Sequence, residues 1–299
     1  MSLGYSSGAE EVFKFGFQFG DASEVASPRL TECLKGEQHG PAMKNVAPGQ
    51  EVEPGPESER KDSAEAVEIC TDLYMLKHRP RNAGDVLGDT GIASSDLKPG
   101  VYEGGLKLWE CAVDLTRHVY TSSASSTPAL PALKGARVLE LGCGHGLPGI
   151  YTLLQGAAEV VLQDFNVQVL HELTIPNVAA NLSATLGTLK PGRVRYLAGD
   201  WSDLHKLLEE GSFDLILTAD TVYSTASLHK LCSLIKHCLK PKGGVALVAA
   251  KTFYFGVGGG TRQFEEVVKA DGDMRVETVK SFADGTSNVR EILKLMHVQ

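Results

Sequence analysis

Val138-Leu139-Glu140-Leu141-Gly142-Cys143-Gly144-His145-Gly146 is a short apolar run that ends in three glycines spaced two apart. An apolar run of this length running straight into glycines reads as a buried strand followed by a tight turn. In an open parallel sheet, the first strand-to-helix turn presents backbone amides, and glycines let a ligand approach with no Cβ in the way. A dinucleotide-binding turn has its third glycine three residues after the second. Leu147 holds that place here, so the spacing suits a methionine and a ribose and does not suit a pyrophosphate.

Outward from this turn, short apolar strands alternate with amphipathic segments. Strands are expected at 137–141, 160–163, 194–197, 213–218, 245–249, 274–280 and 289–296. Helices are expected near 147–154, 167–182, 204–209, 227–239 and 261–269. Such alternation implies a parallel sheet covered on both faces, and the last two strands, with no helix between them, imply an antiparallel hairpin edge. The expected fold is α/β: a seven-strand, mostly parallel, Rossmann-like sheet with an antiparallel C-terminal hairpin and helices on both faces. Upstream, Leu106, Leu108, Trp109, Val113 and Leu115 fall on neighbouring faces of a helix that the Ser-rich run 121–131 breaks. The apolar run 66–74 enters the fold. The catalytic domain is therefore read as 66–299, with an extension at 66–133 and the core sheet at 134–299.

Residues 1–65 are acidic and rich in Pro, Gly, Ser and Glu, with too little apolar surface to offset the entropy of ordering, and are read as a largely disordered tail. One segment stands out there. Phe13, Phe15, Phe17 and Phe19 alternate at period two, as in an edge strand, a docking peptide or a sticky disordered segment. The net charge is -8, and residues 1–100 hold 10 Lys and Arg against 17 Asp and Glu. Little net charge remains for the rest of the chain, so a basic nucleic-acid-binding face is not expected. The six cysteines are scattered without the short paired spacings of a zinc site, and no metal is expected. With no long apolar span and no basic-then-apolar leader, the chain is expected neither to cross a membrane nor to be secreted.

Three further strand ends carry chemistry. Val160-Val161-Leu162-Gln163-Asp164 ends in a carboxylate 20 residues after Gly144, where an acceptor can hold both ribose hydroxyls; the plainer alternative is a helix cap. Ala198-Gly199-Asp200-Trp201 brings a carboxylate for an adenine amino group and an aromatic that either walls the pocket or belongs to the core. Thr218-Ala219-Asp220-Thr221-Val222-Tyr223 ends beside the expected position of a transferable methyl. Together these read as a site for S-adenosylmethionine, with Gly142, Cys143, Gly144 and Gly146 as its glycine turn.

The chain resembles the seven-strand protein methyltransferases that carry an Asp-x-x-Tyr signature after strand four, here Asp220 and Tyr223, and an upstream Trp-Glu, here Trp109 and Glu110. More narrowly it resembles the histidine protein methyltransferases, through 99–111, Gln163-Asp164-Phe165-Asn166, Ile175-Pro176-Asn177-Val178 and Lys251-Thr252-Phe253-Tyr254-Phe255-Gly256-Val257-Gly258-Gly259-Gly260. The resemblance implies cofactor contacts at Leu108, Trp109, Glu110, Cys111, Ala112, Gly142, Gln163, Asp164, Phe165, Gly199, Asp200, Trp201 and Ala219. It also implies methylation of a histidine ring nitrogen in a large-subunit ribosomal protein, in cytoplasm and nucleus, by a chain expected to be a monomer.

A histidine acceptor is mostly neutral near pH 7, whereas deprotonating a lysine there costs about 4 to 5 kcal/mol. Orientation therefore matters more than a strong base, and Asp220 or the Tyr223 hydroxyl is expected to hold one imidazole nitrogen. His145 and Cys143 are not expected to catalyse, since displacement on a sulfonium needs no covalent enzyme intermediate. Gly256–Gly260 either walls the acceptor mouth or is a flexible turn. Two rival readings stay open: a lysine methyltransferase of the same group, and a non-catalytic binder of a basic ribosomal protein that the acidic tail would suit.

Overall fold

The computed structural model describes residues 48–88, 97–123, 130–185, 190–283 and 288–298. The Phe13–Phe19 segment lies outside them. Among the described residues ten strands are formed: β1 (Gln50–Val52), β2 (Glu65–Cys70), β3 (Leu73–Lys77), β4 (Arg137–Leu141), β5 (Glu159–Asp164), β6 (Arg193–Ala198), β7 (Leu215–Ala219), β8 (Val245–Lys251), β9 (Met274–Phe282) and β10 (Arg290–His297). β2 and β3 pair as an antiparallel hairpin apart from the main sheet, whose order is β1-β6-β5-β4-β7-β8-β10-β9. The five strands β6, β5, β4, β7 and β8 run parallel, and β10 pairs antiparallel with both β8 and β9.

The expected seven-strand sheet with its C-terminal hairpin is present, and an eighth strand extends it. β1 pairs antiparallel with β6 and comes from the stretch read as a disordered tail. That boundary is corrected: order begins before residue 66. A three-residue strand does not lift the average composition of 65 residues. Its stability comes from the open edge of β6, the buried Val52 and the ion pair of Glu51 with Arg195 at 2.8 Å.

Period-two alternation explains why helices cover both faces. Val138, Val160, Leu162, Leu215 and Leu217 point into one core, whereas Leu139, Leu141, Val161 and Ile216 point into a second. The helices are α1 (Ala83–Leu87), α2 (Glu110–Ser123), α3 (Leu147–Leu154), α4 (Val167–Val169), α5 (Ile175–Ala184), α6 (Leu228–Cys238) and α7 (Thr261–Asp271). The first core packs residues of α2 and α3, including Leu115 and Ile150. The second packs residues of α6 and α7, including Leu231 and Phe264.

Two helical expectations are corrected. The helix foreseen from Leu106 starts only at Glu110, because Leu106 N–H donates to the Tyr102 hydroxyl (3.1 Å) and Lys107 N–H to the Gly104 carbonyl (3.3 Å), which holds 104–109 as irregular loop. The segment near 204–209 is a 3-10 turn, Trp201–Lys206, whose first amides are capped by Asp200.

A π turn, Leu170–Thr174, joins α4 to α5. Pro176 has no N–H to offer the Glu172 carbonyl one turn back, and Arg60 Nη1 donates to that oxygen at 3.2 Å. The buried Glu172 carboxylate also binds Arg60 Nη1 and Arg81 Nη2, each at 2.5 Å, so it fastens residues 60–81 to the helix. Replacing Glu172 with Ala removes the carboxylate that Arg60 and Arg81 share, leaving Arg60 with Asp62 alone among the described residues as its ion-pair partner, and should lower stability by about 2 kcal/mol. Denaturant unfolding measures this, and an unshifted midpoint would show that the fastening carries no weight.

Candidate active site

The parallel order reverses between β4 and β7, and in such sheets ligands sit beyond the carboxyl ends of the strands at that reversal. A cavity of about 190 Å³ opens there. Gly142, Cys143 and Gly144 after β4, Asp164 and Phe165 at the end of β5, Gly199, Asp200 and Trp201 after β6, and Ala219, Asp220 and Tyr223 at the end of β7 and just beyond it all line it. Leu108, Trp109 and Ala112 close it from the loop before α2 and from α2's first turn. Segments distant in sequence thus meet at one sheet edge.

The glycines are needed where they stand. Gly142 and Gly144 have φ of 62° and 49°. A Cβ on Gly142 would lie 2.6 Å from the Thr221 methyl, and one on Gly144 would lie 2.9 Å from the Gly105 carbonyl oxygen. The turn is held from behind by α5 and the π turn: Thr174 Oγ1 donates to the Gly144 carbonyl (2.6 Å) and Asn177 Nδ2 to the His145 carbonyl (3.0 Å).

Four residues read as cofactor contacts do not line the cavity. Gln163 is a brace: its Oε1 accepts from Gly142 N (3.2 Å) and Trp201 Nε1 (3.0 Å), and its Nε2 donates to the Gly199 carbonyl (3.0 Å). One carboxamide thereby ties together the ends of β4, β5 and β6. Gly146 closes the turn by donating to the Cys143 carbonyl (2.7 Å) and precedes α3. Cys111 is buried and donates its N–H to Asp220 Oδ2 at 3.0 Å. Glu110 turns away to Lys251 (3.5 Å) and Arg290 (3.7 Å).

Asp164 is buried, and its oxygens accept from Gly144 N (2.9 Å) and Asn166 N (3.1 Å). Burial pushes its carboxyl up to about 6, against the pull of those amides. Asp200 is also pushed up by burial, but its bonds to Lys230 (2.8 Å) and Ser202 (2.6 Å) prevail and hold it below the usual carboxylate range. Burial carries Glu140, which accepts from Gly149 N (2.7 Å), up to about 8, and His145 down to about 4, so both are neutral at pH 7.

At the β7 end, Asp220 has φ of 55°, the left-handed region that aspartate tolerates better than most residues. Both of its oxygens are engaged, Oδ2 by Cys111 N and Oδ1 by the Tyr254 hydroxyl at 2.5 Å. Burial raises its pKa. The Tyr223 hydroxyl donates to Glu103 Oε2, while Glu103 Oε1 accepts from Gly100 N at 2.6 Å. Burial first, and the Glu103 charge second, hold that phenol protonated far above its ordinary range.

Gly256–Gly260 does not line the cavity. Gly259 packs against the backbone of Val222 and Tyr223 and donates to the Tyr223 carbonyl (2.9 Å), so the run backs Tyr223. Sequence reasoning missed Glu103, Gly105, Lys230 and Tyr254. The signal for Glu103 was a lone carboxylate between an aromatic and two glycines; Asp200–Lys230 and Asp220–Tyr254 leave no local signal.

A profile of the lysine methyltransferase family matches residues 97–254, more than half of the chain. The chain belongs to the lysine methyltransferase family. Two relatives of higher identity are each named histidine protein methyltransferase 1 homolog. That of Dictyostelium discoideum is 45% identical and covers 68% of this chain and 61% of its own length. That of Rattus norvegicus is 36% identical and covers 67% and 59%. EEF1A lysine methyltransferase 3 of Mus musculus is 30% identical and covers 63% of this chain and 75% of its own length. The chain thus spans about six-tenths of the histidine-named relatives.

Lysine methyltransferase family members of this fold use S-adenosylmethionine, and the cavity fits it. Gly142 and Gly144 leave backbone open where a Cβ would clash, Asp164 stands opposite that turn, and Trp201 is fixed as a wall by Gln163. Among the described residues four carboxyl groups besides the neutral Glu140 line the space against two lysines, which suits a ligand bearing a sulfonium, an ammonium and ribose hydroxyls, and disfavours a phosphate.

Only the ionised form of Asp164 accepts at both oxygens. With its pKa at about 6, cofactor affinity should be full above about pH 7 and weaken as pH falls through 6. Asp164→Asn should weaken binding about tenfold at pH 7.5, the loss of about 1.5 kcal/mol, and flatten the profile between pH 7.5 and 5.5. Titration calorimetry reads both, and a flat wild-type profile would remove Asp164 from ribose binding.

Proposed function

We propose that this chain transfers a methyl group from S-adenosylmethionine to a ring nitrogen of a histidine in a protein, in keeping with a large-subunit ribosomal protein as substrate and with work in cytoplasm and nucleus. The observation that carries the reading is the Tyr223–Glu103 pair beside the cavity's β7 end. With its hydrogen committed to Glu103, the phenol has only lone pairs left to offer. It can accept the N–H of a neutral imidazole, which fixes the tautomer and leaves the other ring nitrogen bare.

The bound cofactor supplies an electrophilic methyl on sulfur. Tyr223 orients the bare nitrogen toward that methyl, and Trp109, Trp201 and the glycine turn exclude water. As the ring gains positive charge, its N–H strengthens the bond to Tyr223, with the Glu103 carboxylate behind it. Asp220 is better placed as a positioning residue than as a substrate contact, because its two oxygens already hold Cys111 N and Tyr254. The names of the two relatives of higher identity support histidine.

Lysine is the second reading, favoured by the family's name and by the mouse relative. Against it, carboxylates around the acceptor would keep a lysine protonated and raise the cost of about 4 to 5 kcal/mol for exposing its lone pair at pH 7.

Transfer of labelled methyl to ribosomal proteins, followed by acid hydrolysis, should yield methylhistidine; methyllysine alone would overturn the histidine assignment. Tyr223→Phe should lower kcat about 100-fold, the scale of a lost positioned acid–base or oxyanion-type contact. Cofactor affinity should stay within about twofold. A variant with wild-type kcat would show that the phenol does not hold the acceptor.

A further inference from the structure

Four of the seven large apolar side chains that stand exposed among the described residues gather on one surface. Phe253 is 38% exposed, Phe255 75%, Val257 41% and Val289 37%. Val289 joins the loop after β8 through Thr252 N, which donates to its carbonyl at 2.8 Å, and Asn288 Nδ2 donates to the Phe253 carbonyl at 3.1 Å. The rings of Phe253 and Phe255 meet edge to face at 5.2 Å, while Tyr254 between them turns inward to Asp220.

The loop that shows these rings is fastened to the reaction site. Tyr254 N donates to Gly259 O and Gly259 N to Tyr223 O, each at 2.9 Å, and Ser224 bridges to Gly258. The rings of Tyr254 and Tyr223 lie 6.3 Å apart. Phe255, one residue further along the chain, therefore sits on a loop bonded directly to the backbone beside Tyr223. A backbone held this firmly while it presents phenylalanines to water serves recognition better than packing.

We infer that Phe253, Phe255, Val257 and Val289 form the docking surface for the protein substrate, and that they take an apolar side chain that neighbours the methylated residue in an extended segment. The chemistry follows from Thr252–Gly260, which carries no charge, so neither an acidic nor a basic motif is read there. This rests on the proposed transfer to a protein but not on which residue accepts the methyl.

The test uses the full chain, tritiated S-adenosylmethionine and ribosomal proteins from cells lacking this chain. Phe255→Ser and Phe253→Ser/Phe255→Ser are compared with wild type, and Tyr74→Ser, an exposed tyrosine on the separate hairpin, serves as control. The expected result is a fall of at least tenfold in kcat/KM through KM for the Phe variants. Their kcat and cofactor affinity should stay within twofold, and the control should match wild type.

A synthetic peptide of the labelled site, with its apolar neighbour changed to Ser, should lose the same factor with wild type and little more with the double variant. An unchanged KM, a loss confined to kcat or cofactor affinity, or a wild-type dimer in sedimentation that the Phe variants dissociate would overturn the docking surface. If the product is methyllysine, the histidine assignment fails while a KM loss still upholds docking. If wild type transfers nothing, the proposed function fails and the docking surface falls with it.

Discussion

Asp220 is the constraint on which the β7 end of the cavity depends. The chain leaves β7 in a left-handed turn at this residue, and its carboxylate then binds the first turn of α2 through Cys111 N and the loop after β8 through Tyr254. Three segments more than 30 residues apart in sequence meet on one side chain. A left-handed aspartate costs on the order of 1 kcal/mol, which bonds of this kind, each about 1.5 to 3 kcal/mol for a charged acceptor, more than offset. At the other end of the cavity, the Gln163 carboxamide does the corresponding work for β4, β5 and β6. The two residues set the spacing of the strand ends around the cavity.

The sheet was legible because its signals are local. Val138-Leu139-Glu140-Leu141 before a glycine turn reads as a strand in any context, and α3 at Leu147–Leu154 lies where its apolar spacing places it. β1 was not legible, since its stability resides in a partner strand more than 140 residues away. The helix foreseen at Leu106 failed for a related reason: the spacing was helical, but Gly104 and the Tyr102 hydroxyl capture the amides first.

The same division holds in the site. Asp164, Trp201, Asp220 and Tyr223 stand at strand ends, where topology alone brings side chains together, and all four reach the cavity. Gln163 sits one residue before Asp164 and points to the same edge, so pattern could place it near the ligand but could not distinguish a brace from a contact. Glu103 lies 120 residues from its partner Tyr223, and no spacing rule connects a loop residue to a strand end at that distance.

The short pairing of β1 reaches further than the sheet edge it covers. Gly199, which lines the cavity, has φ of 128°, and a Cβ there would sit 2.8 Å from the Gly49 Cα. The turn at the β6 end of the cavity is thus supported from outside by the chain just ahead of Gln50, while β1 withholds the β6 edge from association with other strands. The region shared with the family, 97–254, contains neither that support nor the β9–β10 hairpin.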